Sequence, residues 1–216
     1  MIVRLAEQLD VPLRERNQML LAGGYAPVYG QRDLQDPQMG PVRDAIERVL
    51  AGHDPYPAVV VDRHWGMVAA NRAIALLTDG VAAHLLKPPV NFLRLGLHPE
   101  GLAARIVNHG EWRAHLLERL YRQSVASADP ALAALHAELA AYPLADDGPR
   151  PDLVANEIAV MLRLAHDHGE LTFISTVATF GTAADITMSE LTIESFYPAD
   201  AGTAEFLHAW ARQGDG

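Results

Sequence analysis

Histidine is the residue type that most invites a metal or acid–base site here, because ten histidines occur among 216 residues. In "HGEWRAH", His109 and His115 lie six positions apart, with Glu111 between them. The zincin pattern needs its two histidines four positions apart on one helical face, and a spacing of six rotates the second side chain about 120° from overlap. The histidines of "HDHGE" (166–170) fall in a predicted hairpin turn, where polar surface residues are ordinary. The sequence therefore predicts no metal site and no catalytic residue.

A long amphipathic helix is predicted to carry aromatic and polar side chains along one side, with further polar residues in the turns before it. These residues are Arg105, Asn108, Trp112, His115, Leu116 and Tyr121. Side chains of this kind either pack into a core with a polar rim or form the wall of an internal pocket, since ligand pockets are apolar with a few placed polar groups. A helix that faces a curved sheet can leave such a space, and both interpretations remain open at this point.

Strands on either side of this helical region must position it. Period-2 patterns predict two strands within 55–77, two more around a polar turn within 157–181, and a fifth within 190–200. Residues 81–142 are mostly helical by their spacing, and 143–152 read as a loop. Short hairpin links favour antiparallel pairing, and helices grouped mid-chain are expected to cover one face of the sheet. The predicted fold class is α+β, with a PAS-like five-stranded antiparallel sheet and helices packed on one face.

Helical spacing also marks both ends of the sequence. "RLAEQLDVPLRERNQMLLAGGY" (4–25) predicts two short helices that stop at the adjacent glycines. A segment rich in proline and glycine follows (25–41), a helix begins at Pro41, and a last helix spans 201–212. Two short helices cannot bury their own apolar faces, so the first pair must pack against another surface.

Composition limits the functional classes. The net charge of −10 opposes nonspecific nucleic-acid binding, which depends on Lys and Arg neutralising phosphates. The absence of cysteine excludes disulfides and thiolate metal sites. The first residues are amphipathic rather than signal-like, and no apolar run approaches the ~18 residues of a membrane span. We therefore expect a cytoplasmic protein with no membrane span.

Four stretches taken together resemble MmyB-like transcription regulators. They are "LDVPLRERNQMLLAGGYAPVY", "PYPAVVVDRHWGMVAANRAIALL", "PVNFLRLGLHPEGLAARIVNHGEWRAHLLERL" and "FGTAADITMSELTIESFYPAD". Proteins of this family combine an Xre-type helix-turn-helix with a PAS-like ligand-binding domain. The resemblance covers nearly the whole chain, with the stretches in the right order.

The resemblance implies three parts: the C-terminal helices of a helix-turn-helix domain (1–29), a linker and helix (30–54), and a PAS-like ligand-binding domain (55–213). The recognition helix, which reads the major groove in this motif, would precede Met1. We therefore expect DNA binding only through a helix-turn-helix that is mostly missing from this chain. A homodimer is expected as well, because the first two helices have an apolar face to cover and such regulators act on paired half-sites.

The resemblance further implies a small apolar ligand of fatty-acid type and no required cofactor. The residues expected to contact this ligand are Phe92, Leu95, Arg105, Asn108, Trp112, His115, Leu116 and Tyr121 from the helical region, and Ile174, Phe180 and Ile193 from the strands. His115 or Arg105 is favoured as the partner of a carboxylate head group. The expected function is ligand sensing rather than catalysis. The alternatives are a small enzyme on a PAS-like scaffold that uses His109 or His115, and a dimerisation module with a filled core and no ligand.

Overall fold

The computed structural model describes residues 1–143, 160–167 and 169–213, and its strands form one antiparallel sheet in the order β2–β1–β5–β4–β3. The strands are β1 (Ala58–Val61), β2 (Met67–Ala70), β3 (Leu162–His166), β4 (Gly169–Thr179) and β5 (Thr192–Pro198). β5 lies in the middle, with Val60 of β1 opposite Ile193 and Ser175 of β4 opposite Phe196. The five-stranded antiparallel sheet predicted from the period-2 patterns is thereby confirmed.

Helices precede, interrupt and follow the sheet. They are α1 (Ile2–Gln8), α2 (Leu13–Ala22), α3 (Gly40–His53), α4 (Ala75–Thr78), α5 (Phe92–Leu97), α6 (His109–Ser127), α7 (Pro130–Ala140), α8 (Ile186–Ser189) and α9 (Ala201–Gln213). Short 3-10 helices span Pro37–Met39, Arg72–Ile74, Ala83–Leu86 and Leu102–Arg105. The predicted helices at the start, after Pro41 and at the end are confirmed. The loop predicted at 143–152 lies outside the described residues, apart from Pro143.

The main core lies between the sheet and the helices α4 to α7 and α9. Leucines at helical spacing, such as Leu116 and Leu120 on α6, face alternate residues of the strands, such as Leu164 and Phe173. Burying side chains of this size contributes roughly 1.5–3 kcal/mol each. The predicted α+β class is confirmed, with these helices packed on one face of the sheet.

The opposite face of the sheet is covered in part by α3. Ile46 and Leu50 on α3 pack against Val60, Leu191 and Ile193. These strand residues alternate with those that point into the main core, so the central strands are apolar on both faces. A second, smaller apolar cluster is the result.

Of the two N-terminal helices, α2 packs near α8 and α1 packs against α2. Arg14 on α2 forms a bidentate ion pair with Glu190, with Nε–Oε1 and NH2–Oε2 distances of 2.6 and 2.8 Å. The segment after α2 is tied to the same region, because Ile186 N–H donates to the Gly30 carbonyl at 2.8 Å and Arg32 pairs with Asp185 at 2.9 Å. Polar contacts therefore provide much of the attachment. No helix in the described parts of the chain combines the length and apolarity needed to cross a membrane.

Candidate ligand-binding site

A small enclosed space of ≈ 20 Å³ lies between the sheet and the helices α5 and α6. Its lining is apolar apart from one carboxyl group, and consists of Leu77, Phe92, Leu93, Leu95, Gly96, Leu102, Trp112, Leu116, Leu162, Glu194 and Phe196. The volume is about that needed for one water. Four of the residues predicted to contact a ligand meet here: Phe92, Leu95, Trp112 and Leu116.

The one polar side chain that lines this space is Glu194 on β5, and it forms an ion pair with Arg119 on α6. Glu194 is 2% exposed, whereas the Arg119 side chain is 24% exposed. Burial raises the pKa of the Glu194 carboxyl, and the charge and hydrogen bond of Arg119 oppose that rise. The Arg119 guanidinium also lies 4.5 Å from the centroid of the Trp65 ring, a cation–π geometry. One wall of an apolar space thus carries a carboxylate whose ionisation depends on a single arginine.

Polar contacts continue from Trp65 to the N-terminal helices. Trp65 Nε1–H donates to Gln123 Oε1 at 2.9 Å, and Gln123 Nε2–H donates to the Arg63 carbonyl at 3.1 Å. The Arg63 guanidinium reaches Glu190 at 3.4 Å, and Glu190 also accepts both hydrogen bonds from Arg14 on α2. Glu190 therefore connects Arg14 on α2 with Arg63, which lies between β1 and β2.

Trp65 sits in a costly backbone conformation within this chain of contacts. Its φ of 67° lies in the left-handed region, which costs a bulky residue about 1–2 kcal/mol. The ring is 3% exposed and is held by Gln123 and Arg119, so burial and polar contacts offset the strain. Contacts with Gln123 and Arg119 therefore fix the position of the Trp65 ring.

The polar residues predicted to meet a carboxylate head group do not line the enclosed space, and their contact with a ligand stays a prediction. Arg105 NH1 donates to the carbonyls of Leu76 and Asp79 at 3.2 and 2.8 Å, where cations stabilise the C-terminal end of a helix. Asn108 donates to the Met161 carbonyl at 2.8 Å and so joins the start of α6 to the residue before β3.

His115 and Tyr121 also point away from the enclosed space. His115 is half-buried beside Trp112, with ring centroids 5.7 Å apart. Burial lowers the pKa of its imidazole, and the nearby charges of Arg119 and Arg122 lower that pKa further, which makes His115 a poor cationic partner for a carboxylate. Tyr121 is 52% exposed, because its position on α6 faces solvent rather than the sheet.

The strand residues predicted to contact the ligand do not belong to the main core, and their contact with a ligand stays a prediction. Ile174 is exposed, while its neighbour Phe173 is in the main core. Ile193 belongs to the cluster under α3, and Phe180 packs against the same cluster. Side chains alternate along a strand, so the residues that face α6 are one position away from those predicted.

Glu194 is the polar one of the seven lining residues that sequence reasoning missed; the other six are Leu77, Leu93, Gly96, Leu102, Leu162 and Phe196. The sequence does place it on the same strand face as Phe196, with Leu191 and Ile193 on the other face. A carboxylate two positions from an aromatic residue that points into the core is a usable signal, because a charge in such a position needs a partner. Its partner, Arg119, lies 75 positions away in the chain and cannot be identified by local spacing.

The two histidines of the enzyme alternative both lie on α6 and are at least partly buried. His109 is 6% exposed, and burial together with the nearby charge of Arg113 lowers the pKa of its imidazole. Among the residues that the structure describes, neither His109 nor His115 belongs to a group of three side chains able to hold a metal ion.

Most of the chain matches the model of one protein family. The family described as MmyB-like transcription regulator ligand binding domain matches residues 42–209. The chain belongs to this family. The matched range contains all five strands of the described sheet and every residue that lines the space. The MmyB-like domain is thus the ligand-binding part of a transcription regulator, and the division of the chain at residues 29 and 54 stays a prediction.

Solved structures similar to the MmyB-like domain include LOV proteins. The LOV protein of Rhodobacter sphaeroides is 12% identical, with 76% of this chain and 71% of that chain covered and a TM-score of 0.35. The d2 variant of RsLOV is 15% identical, with 76% and 72% covered and a TM-score of 0.35. Likeness at this level supports no conclusion about ligand or function. No curated protein matches the chain.

Proposed function

We propose that this chain senses a small apolar ligand of fatty-acid type between the sheet and the helices α5 and α6, and that binding alters DNA recognition by a helix-turn-helix. The observation that carries the proposal is the enclosed apolar space with Glu194, the ion-pair partner of Arg119, in its wall. Family membership supports the regulatory role. Two features are involved: the ligand that enters the space, and the contacts through which its binding reaches the N-terminal helices.

The ligand must open the space that it occupies. A space of ≈ 20 Å³ has room for about one water, so an acyl chain requires Phe92 and Trp112 to move from their present positions. Each buried methylene contributes roughly 0.8 kcal/mol, which gives about 10 kcal/mol for a dozen carbons. Association and ordering of side chains cost several kcal/mol in return, and the remainder corresponds to about micromolar affinity.

A carboxylate head group is matched by the Arg119 guanidinium. Two carboxylates beside one arginine repel each other unless one of them is protonated. Burial already raises the pKa of Glu194, so Glu194 is the group that takes the proton when an acid binds. The neutral carboxyl group can then donate a hydrogen bond to the ligand. The head group thereby takes the place of Glu194 as the counter-charge of Arg119.

Such an exchange would reach the N-terminal helices through the contacts around Glu190. Releasing Arg119 from Glu194 changes what holds the Trp65 ring, and Trp65 is joined through Gln123 to Arg63. Arg63 shares Glu190 with Arg14 of α2. This contiguous series of contacts is the proposed route of coupling.

Calorimetry with saturated fatty acids of increasing chain length tests the ligand. We expect affinity to rise with each added carbon and then to fall once the opened space is full, and Trp112→Ala should change the preferred length. Arg119→Met should weaken binding of acids more than binding of the corresponding alcohols. Arg122→Met is the matched control, because Arg122 lies on the same helix with its side chain 68% exposed. Weak binding at every length would favour the dimerisation module instead.

Hydrogen exchange of the α2 amides tests the communication. With the best-binding acid present, exchange in α2 should change in the unmodified chain, because Glu190 connects α2 to the sheet side. Glu190→Gln should abolish this change without abolishing ligand binding. Glu118→Gln is the control, since Glu118 pairs with the exposed Arg122 on α6. An unchanged response in Glu190→Gln would refute the route, and no response in the unmodified chain would refute coupling.

A further inference from the structure

Two histidines and a glutamate meet at the surface where the 3-10 helix Ala83–Leu86 approaches the C-terminal end of α5. His84 lies on the 3-10 helix, His98 directly follows α5, and Glu100 comes two positions later. One potential ligand atom of each residue lies within 4.8 Å of those of the other two. His84 Nε2 and Glu100 Oε2 are 4.0 Å apart, and the two imidazole rings lie edge to face with centroids 5.5 Å apart. In the described ranges of the chain, no other group of three such side chains comes as close.

Main-chain hydrogen bonds hold the segments that carry these side chains. The Ala82 N–H donates to the Glu100 carbonyl at 2.9 Å, which ties the 3-10 helix to the turn after α5. The Gly101 N–H donates to the His98 carbonyl at 2.8 Å and closes that turn. A Cβ atom at Gly101 would lie 2.2 Å from the Leu95 carbonyl oxygen, so the turn requires glycine. The backbone is therefore arranged for convergence of the three side chains.

The side chains themselves can adjust. Those of His84 and Glu100 are more than half exposed, and the ring of Tyr142 packs edge-on against His98 with centroids 5.1 Å apart. The Nδ1 atom of His98 accepts the Glu100 N–H at 3.1 Å. Metal coordination by His98 breaks this hydrogen bond, whichever ring nitrogen binds the metal. A metal-bound Nδ1 has no free lone pair, and a metal-bound Nε2 leaves the proton on Nδ1, so Nδ1 can no longer accept.

We propose that His84, His98 and Glu100 bind a divalent transition-metal cation, with Zn²⁺ as the best fit. Two imidazoles and one carboxylate are donors that Zn²⁺ accepts at about 2.0–2.2 Å, with water in the fourth position. Ligand atoms of a tetrahedral site then lie roughly 3.3 Å apart, so rotation of exposed side chains closes the present gap. Mg²⁺ and Ca²⁺ fit poorly because they prefer oxygen ligands. The net charge of −10 also favours a cation.

The metal joins the 3-10 helix to the end of α5. Since α5 carries Phe92 and Leu95 into the enclosed space, the bound ion restrains one wall of the ligand site. None of the three metal ligands lines that space, so the metal site does not depend on the proposed function.

Isothermal titration of ZnCl₂ into the full chain without an affinity tag, after removal of metals with a chelating resin, tests the site. We expect one Zn²⁺ per chain and affinity weakened on the order of 100-fold or more in His84→Ala and in His98→Ala, because even outer-shell changes cost 10–100-fold. The control is His136→Ala, which removes an α7 histidine outside the cluster and should leave affinity unchanged. Titration with MgCl₂ should show no comparable binding.

Visible absorption of bound Co²⁺ provides a second measurement that does not rely on the heat of binding. Co²⁺ bound in a four-coordinate site gives a strong visible absorption, which should be lost in both alanine variants and retained in His136→Ala. Zinc binding that survives in His84→Ala and His98→Ala would place the ion at other histidines and overturn the proposal, as would the absence of zinc binding by the unmodified chain. If either alanine variant fails to fold by circular dichroism, Glu100→Gln decides by the same criterion.

Discussion

Arg119→Met tests the polar centre of the candidate site most directly. Glu194 is almost fully buried, and Arg119 supplies the positive charge that its carboxylate meets. Removing one partner of a buried ion pair typically costs about 3–5 kcal/mol, because the remaining charge is left uncompensated. Methionine retains an apolar stem at this position, so the measured loss of stability reports mainly the missing charge.

The two halves of the pair are not equivalent. The Arg119 side chain is partly exposed and rests on the Trp65 ring, so it can reach water when Glu194 is replaced. We expect Glu194→Gln to cost about 1.5–3 kcal/mol, the range for a lost hydrogen bond to a charged group. The double variant contains no buried charge at this place, and it should be more stable than Arg119→Met alone near pH 7.

The pH dependence follows from the direction of the shift in pKa. Burial raises the pKa of Glu194 above its ordinary value of 4.5, and Arg119→Met removes the contribution that opposes the rise. A carboxyl group with a raised pKa in the folded state contributes stability that is fully present below its unfolded pKa and is lost as pH rises through its folded pKa. The free energy of unfolding of Arg119→Met should therefore be lower at pH 7 than at pH 5, with a slope of at most about 1.4 kcal/mol per pH unit.

Urea unfolding followed by tryptophan fluorescence at both pH values measures these differences. Arg122→Met serves as the control and should stay within about 0.5 kcal/mol of the unmodified chain, because Arg122 is exposed. The reasoning is refuted if Arg119→Met loses no more stability than Arg122→Met. A double variant with the same pH profile as Arg119→Met would also refute it, since the slope is assigned to Glu194.

Three further expectations concern the core, the acid limb of stability and the oligomeric state. Trp112→Ala should lower the free energy of unfolding by about 3–5 kcal/mol in urea, because the indole is buried in the main core; a change below 1 kcal/mol would contradict its placement. The hydrogen bond from His64 lowers the pKa of Asp129 from 3.8 to about 2, so this carboxylate stabilises the fold above 3.8 and the contribution is lost as pH falls through 2. Asp129→Asn should reduce this loss of stability at low pH, as followed by circular dichroism during an acid titration. An unchanged loss of stability would assign it to other titratable groups. The homodimer predicted from the sequence requires a two-chain mass in light scattering, which Leu5→Ser with Leu9→Ser should reduce because both leucines are more than half exposed; a monomer at high micromolar concentration would contradict it.

The sequence by itself determined the elements of this protein and the pairing of its hairpins. Alternation within 190–200 separates Leu191 and Ile193 from Glu194 and Phe196, and the structure places these pairs on opposite faces of β5. Helical spacing likewise predicts the buried side of α6. Both periodicities arise from backbone geometry over a few residues, so they can be recognised without knowledge of distant contacts.

Only the tertiary structure decided which face of the sheet meets α6 and which residues meet at each site. A strand with apolar residues on both sides gives no local sign of which side faces which helix, so the pattern alone does not show that Ile193 packs under α3. Glu194 pairs with Arg119, which lies 75 positions away in the chain. His84 lies beside His98 because a main-chain hydrogen bond from Ala82 to Glu100 joins their segments. Partners of this kind depend on how whole elements pack, and the spacing of residues along the chain carries no record of that packing.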